Sequence, residues 1–442
     1  MPLRSRLARR LTPVLLALVL AAGLGSAAPA HAANVATPGN FTGYGFDQCL
    51  APDQAAMDAW LRSSPFWAVG IYISGDSRAC TSQPNLTPTW ISTRLDNGWR
   101  LLPITLGPQA WCTTRDRYLQ QVRISPDPAK SYGKARRQGR AEAAKTVARA
   151  TQLGLASGST LWYDLEAFDI SPTDCRESAL SFLSAWTNKL HALDFVSGIY
   201  SSAASGVKML DDAQTSRPGR YAMPDQVWIA DWNGRDDVYS DYVRDSSWMP
   251  HRRVHQYRGG HDETWGGVRI NIDSNFLDLG TGSVARPARS LCGGVGVDFA
   301  DYPRMRVGSE GPLVEAAQCL LSRGGGYDGP VTGVYDTATR DAARVYRTET
   351  GIKSGGAVSR RTWTALLVRG KGYPLMKYGS ASRAVRRLQR SLNAADVARL
   401  PVSGVFEVRT TAAVKTYQRD HDLPQTGVVT ESVWDLLRAG TR

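Results

Sequence analysis

Several chemistries are missing from this sequence. No Cys-x-x-Cys occurs, which argues against a zinc ribbon or a thioredoxin-type redox pair. No Gly-x-Ser-x-Gly elbow occurs, so no α/β-hydrolase serine is marked. His251 and His255 are four apart, but the zinc-protease glutamate is missing and the context reads as a strand. Both are expected as core or surface histidines. No glycine fingerprint follows the first strand-like run, which counts against a nucleotide-binding, doubly wound sheet. Beyond the N-terminal region no run is apolar enough to cross a membrane. No metal and no cofactor are expected.

What is present begins with an export signature. Arg4, Arg6, Arg9 and Arg10 precede an apolar stretch from Leu11 to Leu24, and Ala30-His31-Ala32 has a small-x-small cleavage pattern. Residues 1–33 therefore read as a secretory signal. Arg9-Arg10 raises a twin-arginine route, but ordinary secretion is the first expectation. The mature chain should be extracellular or wall-associated. Six cysteines fit an oxidising compartment. Cys292 and Cys319 share the C-terminal region and should pair. Of the three ways to join the other four, the sequential one is expected, Cys49 with Cys80 and Cys112 with Cys175.

The net charge of +13 is uneven. Residues 286–442 hold 24 Lys and Arg against 14 Asp and Glu, whereas residues 34–285 are close to neutral. A basic C-terminal part implies an anionic partner. For an exported chain that is an anionic wall polymer or surface rather than nucleic acid, because the aromatics there look buried rather than interleaved with a basic stripe.

The 442 residues allow roughly two to four domains. The N-terminal part shows eight strand-like runs, near residues 43–47, 69–73, 99–106, 161–166, 196–201, 226–232, 253–257 and 268–276. Helices are expected near 52–62, 87–97, 130–153 and 174–193; residues 112–128 look irregular. This pattern suggests a (β/α) barrel, whose site lies at the C-terminal strand ends. One stretch decides the chemistry. In Leu161-Trp162-Tyr163-Asp164-Leu165-Glu166, period-two alternation puts Asp164 and Glu166 on one face above Trp162. Two acids so close push one pKa up, which suits general acid work on a glycosidic bond. Asp47 ends the first run and Asp273 is expected to end the last. Four carboxylates from three strands should then meet at one mouth. Tyr200, Asp231, Trp232 and Gln256 are candidate sugar contacts.

Gly45-Phe46-Asp47, Tyr163-Asp164-Leu165-Glu166, His255-Gln256-Tyr257, Gly266-Gly267 and Ile272-Asp273-Ser274-Asn275 together resemble the motif set of family 25 lysozymes. With Asp47-Gln48-Cys49, Gly198-Ile199-Tyr200-Ser201-Ser202 and Trp228-Ile229-Ala230-Asp231-Trp232, the stretch from about 41 to 280 is more similar to a related glycoside-hydrolase-like domain of unknown function. The resemblance implies an irregular, TIM-like (β/α) barrel acting on an N-acetylated wall glycan. Glu166 would be the general acid and Asp164 would orient the acetamido group. Asp47 and Asp273 would hold charge and hydrogen bonds around them. Asp47 leads into Gln48 and Cys49 where the lysozymes have a small polar turn, so activity does not follow from fold alone. The alternative is a barrel that grips glycan without cutting it.

Residues 279–290 read as a linker, and beyond them the chain repeats with an offset of 71 and no gap. Tyr302-Pro303, Gln318, Tyr346 and Trp363 recur as Tyr373-Pro374, Gln389, Tyr417 and Trp434. Val385, Leu388-Gln389, Gly404-Val405-Phe406, Tyr417-Gln418 and Val433-Trp434 resemble the type-one peptidoglycan-binding family, which implies a small three-helix module. The first copy departs, with Ala317 before Gln318 and Arg347 in place of Gln418. The expected organisation is multidomain: signal 1–33, barrel 34–280, linker 281–300, and all-α modules 301–370 and 371–442. Peptidoglycan is the expected partner and a monomer the expected state.

Overall fold

The computed structural model describes residues 34–324 and 326–442, so the expected signal lies outside the described residues. Residues Asn34–Arg442 form one compact unit. Eight strands close a barrel in sequence order: β1 Phe41–Asp47, β2 Ala68–Ser74, β3 Arg100–Thr105, β4 Thr160–Asp164, β5 Val196–Ser202, β6 Gln226–Ala230, β7 Arg252–Trp265 and β8 Val268–Leu279. Helices α1 Gln54–Ser63, α2 Pro88–Asp96, α3 Asp116–Leu119, α4 Ala129–Gln152, α5 Thr173–His191 and α6 Lys208–Ser216 lie along the first five crossovers. Their starts carry local signals. Asp53 accepts a hydrogen bond from Ala56 N at the head of α1, and Thr87 caps α2 with Pro88 at its first position.

Strand alternation builds two cores. Phe41, Leu102, Ile104, Trp162, Trp228, Val254 and Leu277 fill the barrel. Leu161, Tyr163 and Leu165 point outward into the layer beneath the helices, where Tyr163 meets Phe182 and Trp186 of α5. Gly198 leaves room for the Trp162 ring, since a Cβ there would lie 2.4 Å from it.

The barrel departs from a regular one at its last strand. Strands β1 to β7 run parallel to their neighbours, but β8 is antiparallel to both β7 and β1. The cause is the Gly266-Gly267 turn. Both residues have positive φ, 58° and 80°, which suits a tight hairpin and turns β7 straight back into β8. The seventh strand therefore runs on to Trp265 instead of stopping near 257. Asp273 lies within β8, paired with Asp47 of β1, and not at a strand end as expected. It still reaches the same mouth, because the inverted strand passes that mouth on its way down.

No helix follows β8 before the C-terminal region, so the outer face of β8 and β1 needs another cover. The region supplies it with α7 Pro312–Gly324, α8 Thr337–Glu349, α9 Arg360–Val368, α10 Arg383–Ala394, α11 Val408–Arg419 and α12 Glu431–Arg438. These form two three-helix modules, each with its own core, around Trp363 and around Trp434. Gln318 and Gln389 are buried and make matching bonds: each donates to a carbonyl (Val334, Val405) and a threonine hydroxyl (Thr339, Thr410) and accepts from a glycine N–H. In the second module Tyr378 packs on Tyr44 and Phe276, the outward aromatics of β1 and β8.

The cysteines form Cys49–Cys80, Cys112–Cys175 and Cys292–Cys319. The third bond changes the reading of the linker. It ties Cys292 to α7, and Val297 enters the first module's core, so the second half of the 281–300 segment is packed rather than free. Among the described residues no helix is long and apolar enough to cross a membrane.

Candidate active site

The carboxyl groups meet around two phenols. Asp47 at the end of β1 and Asp164 at the end of β4 are buried, 4% and 2% exposed. Gly70 of β2 makes the space for Asp47, because a Cβ there would lie 2.5 Å from the Asp47 Cβ. Asn275 Nδ2 donates to Asp47 at 2.7 Å, and Gln256 Nε2 reaches both Asp47 at 3.2 Å and Asp273 at 3.3 Å. Gly260 N also donates to Asp273. Tyr72 donates to Asp164 Oδ2 at 3.2 Å, while Asp164 Oδ1 is buried with no partner among the described residues. Tyr200 feels all four carboxyl charges, and its hydroxyl donates to Gln256 at 3.0 Å.

Burial dominates the electrostatics. It pushes Asp47 up to about 8, with the Asp273 charge adding to the shift. Asp164 is raised well above the usual carboxylate range by burial and then by the Glu166 charge. Asp273 is raised by burial. Tyr72 and Tyr200 are raised for the same first reason, so both phenols keep their protons as donors. Near neutral pH the mouth can therefore hold a proton on Asp47.

Glu166 differs from the other three. It lies just past β4 and its side chain is 21% exposed. Gln109 fixes the turn, accepting from Glu166 N at 2.8 Å and donating to Asp164 O at 2.9 Å. Arg115 pairs with Glu166 Oε2 at 3.1 Å, and Tyr118 donates to Oε1 at 3.4 Å. Arg115 and Tyr118 come from the 112–128 segment, which is not wholly irregular: α3 lies within it.

The four candidate sugar contacts divide. Gln256 is buried at the hub of the carboxyl groups. Trp232 is 66% exposed, and its indole N–H donates to Gln256 Oε1 at 2.9 Å. Its ring lies on the β7 backbone at Gly259, where any side chain would collide with it at 2.2 Å. Tyr200 joins them through Gln256. Asp231 turns away, its carboxylate accepting from Ser240 at 2.7 Å and Asn233 at 3.1 Å within its own loop. His255 is buried and bonded to the carbonyls of Asp231 and Asp237, and His251 pairs with Asp278.

Sequence reasoning missed Tyr72, Gln109, Arg115, Tyr118 and Asn275. Only Asn275 had a usable signal: on β8 it shares a face with Asp273 two residues away. Among the described residues no group of three or more His, Cys, Asp and Glu side chains could hold a metal ion.

Residues 58–277 match the Rv2525c-like, glycoside hydrolase-like domain, and residues 310–366 and 382–437 each match a peptidoglycan binding domain. No curated protein matches the chain. Similar solved structures include an uncharacterized B. stearothermophilus protein, 16% identical, covering 53% of this chain and 95% of that one with a TM-score of 0.33. The Mycobacterium tuberculosis Tat-secreted protein Rv2525c is 12% identical over 54% of this chain and 97% of its own, with a TM-score of 0.33. A family 25 glycosyl hydrolase from Bacillus anthracis is 14% identical over 55% and 91%, with a TM-score of 0.32. The chain is therefore a multidomain, cell-wall-associated, hydrolase-like protein: an Rv2525c-like, glycoside hydrolase-like domain joined to two peptidoglycan binding domains.

Proposed function

We propose that the barrel cleaves an N-acetylated glycan of peptidoglycan, as a muramidase of lysozyme type. The supporting observation is the gathering of Asp47, Asp164, Glu166 and Asp273 around Tyr72 and Tyr200, with exposed Trp232 beside them. Trp232 offers a flat apolar face for a sugar ring. Glu166, the carboxyl group with access to solvent, gives its proton to the leaving oxygen. When Asp164 is ionised, its Oδ1 is a buried acceptor without a protein partner, and an acetamido N–H would satisfy it. In that same step the oriented acetamido oxygen attacks the anomeric carbon as the glycosidic bond breaks. Water, deprotonated by the Glu166 carboxylate, then opens the cyclic intermediate and restores the acid. Asp47 and Asp273, braced by Gln256 and Asn275, keep the mouth's charge low. The chain is taken to be exported, to work as a monomer at the wall, and to comprise barrel 34–280 and modules 301–370 and 371–442.

One observation favours the gripping alternative: the Arg115 ion pair occupies Glu166 Oε2. Dye release from purified cell wall separates the two readings. The mature chain should release dye, and Glu166→Gln should lose roughly 10²-fold or more of that rate while still pelleting with the wall. If the unaltered chain and Arg115→Ala are both silent yet both pellet, the barrel does not cut.

A further inference from the structure

The two modules and linker residues between Ala288 and Val297 line a cleft of about 820 Å³. Its floor is apolar, with Leu291, Val297, Leu320, Leu366 and Leu367. Its walls hold eight cationic side chains and no carboxylate. Three of them, on α10, have structural duties. Arg386 donates to the Val402 carbonyl, Arg387 to those of Val368 and Gly372, and Arg390 pairs with Asp298. The other five are Arg289, Arg323, Arg369, Lys371 and Arg383. All are exposed, and none makes an ion pair among the described residues. The N-terminus of α10 opens into the same space through Ser382 and Arg383, adding its partial positive charge.

So many uncompensated cations repel one another, and only a ligand with several full negative charges would relieve them. Most are arginine, whose planar fork pairs with two oxygens of a phosphate at once. A glycan strand is largely neutral and would leave this charge unanswered. Nucleic acid has the charge but also needs aromatic faces for its bases. The cleft's one aromatic, Tyr373, is already packed against Trp434 and between Arg387 and Arg438. The Cys292–Cys319 bond holds the linker wall in place, so the cleft is fixed before any ligand arrives.

We propose that this cleft binds a linear polyol-phosphate polymer of the cell wall, with successive phosphodiesters on the arginines and the polyol carbons over the leucine floor. The site is separate from the barrel mouth, and its occupation does not depend on whether the barrel cleaves glycan. It would give the chain a second, salt-sensitive hold on a wall that the modules already address.

The test uses the whole mature chain and poly(glycerol phosphate) oligomers, with affinity measured at several salt concentrations. The triple variant Arg369→Gln, Lys371→Gln, Arg383→Gln should weaken binding about tenfold or more and flatten the salt dependence by about two to three counterions. A control triple of exposed cations outside the cleft, Lys353→Gln, Arg409→Gln, Lys415→Gln, should change it less than about twofold. Unfolding midpoints of both variants establish that the fold is intact. Equal losses in the two triples would mean a diffuse field and no site, which overturns the proposal. So would a single-stranded oligonucleotide of equal charge that binds the unaltered chain as tightly as the polymer and is lost with the cleft triple. No binding by the unaltered chain overturns it as well.

Discussion

The two modules share a fold but use one loop in opposite ways. In the second, Lys377 is 1% exposed and donates to the carbonyls of Leu61 and Ser64 at the end of α1, at 2.8 and 3.0 Å. Its Nζ also sits over Trp67 and Trp99 of the barrel. Gly379 next to it touches β1 so closely that a Cβ would lie 2.6 Å from Phe41 and from the Thr42 carbonyl. The equivalents in the first module, 71 residues earlier, are Arg306, Val307 and Gly308. All three are exposed, and a Cβ on Gly308 would meet nothing within 4 Å. Yet Met305 and Met376 bridge to Val358 and Val429 alike, and Trp363 and Trp434 donate to Pro303 and Pro374 alike. The repeat therefore conserves the loop's internal bonds and changes only what its tip meets. The second copy has become the missing cover of β8 and β1; the first keeps its loop free.

The sharpest way to break this contrast is to shorten both tips. Lys377→Ala empties a buried volume and strands two helix-end carbonyls, so it should cost about 2–4 kcal/mol. Arg306→Ala should stay within about 0.5 kcal/mol. Urea unfolding of the whole chain, followed by tryptophan emission, reads both, because Trp67 and Trp99 lose their cover only in the first variant. Equal effects would show that the docked loop adds nothing to stability.

How much of this was legible beforehand depended on range. Asp164 and Glu166 were readable because period two is local, and the repeat was readable because its offset is constant. Gly266-Gly267 signals the reversal of β8, but the same pair also fits the family motif, which hides its role as a hairpin turn. Arg115 and Tyr118 were not readable, since they approach Glu166 from about fifty residues away with no periodicity to announce them. The docked tip was hidden for a similar reason. Lys377 stands in a basic stretch and reads as a solvated charge until the helix end it caps is seen.

A pH series sharpens the same contrast with a smaller effect. Burial lowers the Lys377 pKa well below its ordinary 10.5. Between the lowered value and 10.5 the unfolded chain binds a proton that the folded chain does not, so stability rises with pH across that window. The gain should be absent in Lys377→Met, which fills the same space with no charge to desolvate. A parallel pH slope in the two proteins would mean that the proton belongs elsewhere.

The smallest effect concerns the departure that first set the copies apart. In the second module Gln418 donates to the Val428 carbonyl at 2.9 Å and accepts from Gly427 N at 2.9 Å. In the first, Arg347 donates to the Ala357 carbonyl at 2.9 Å, the position 71 residues before Val428, and also binds the Lys353 carbonyl. The arginine thus keeps the donor half of the glutamine's role and replaces the acceptor half with a second carbonyl. Arg347→Gln exchanges one arrangement for the other at a partly exposed site, so it should shift stability by no more than about 0.5 kcal/mol. Thermal unfolding of the whole chain measures it. A loss of 2 kcal/mol or more would mean that the first module has been rebuilt around its arginine, and that the two copies differ in their cores as well as at their tips.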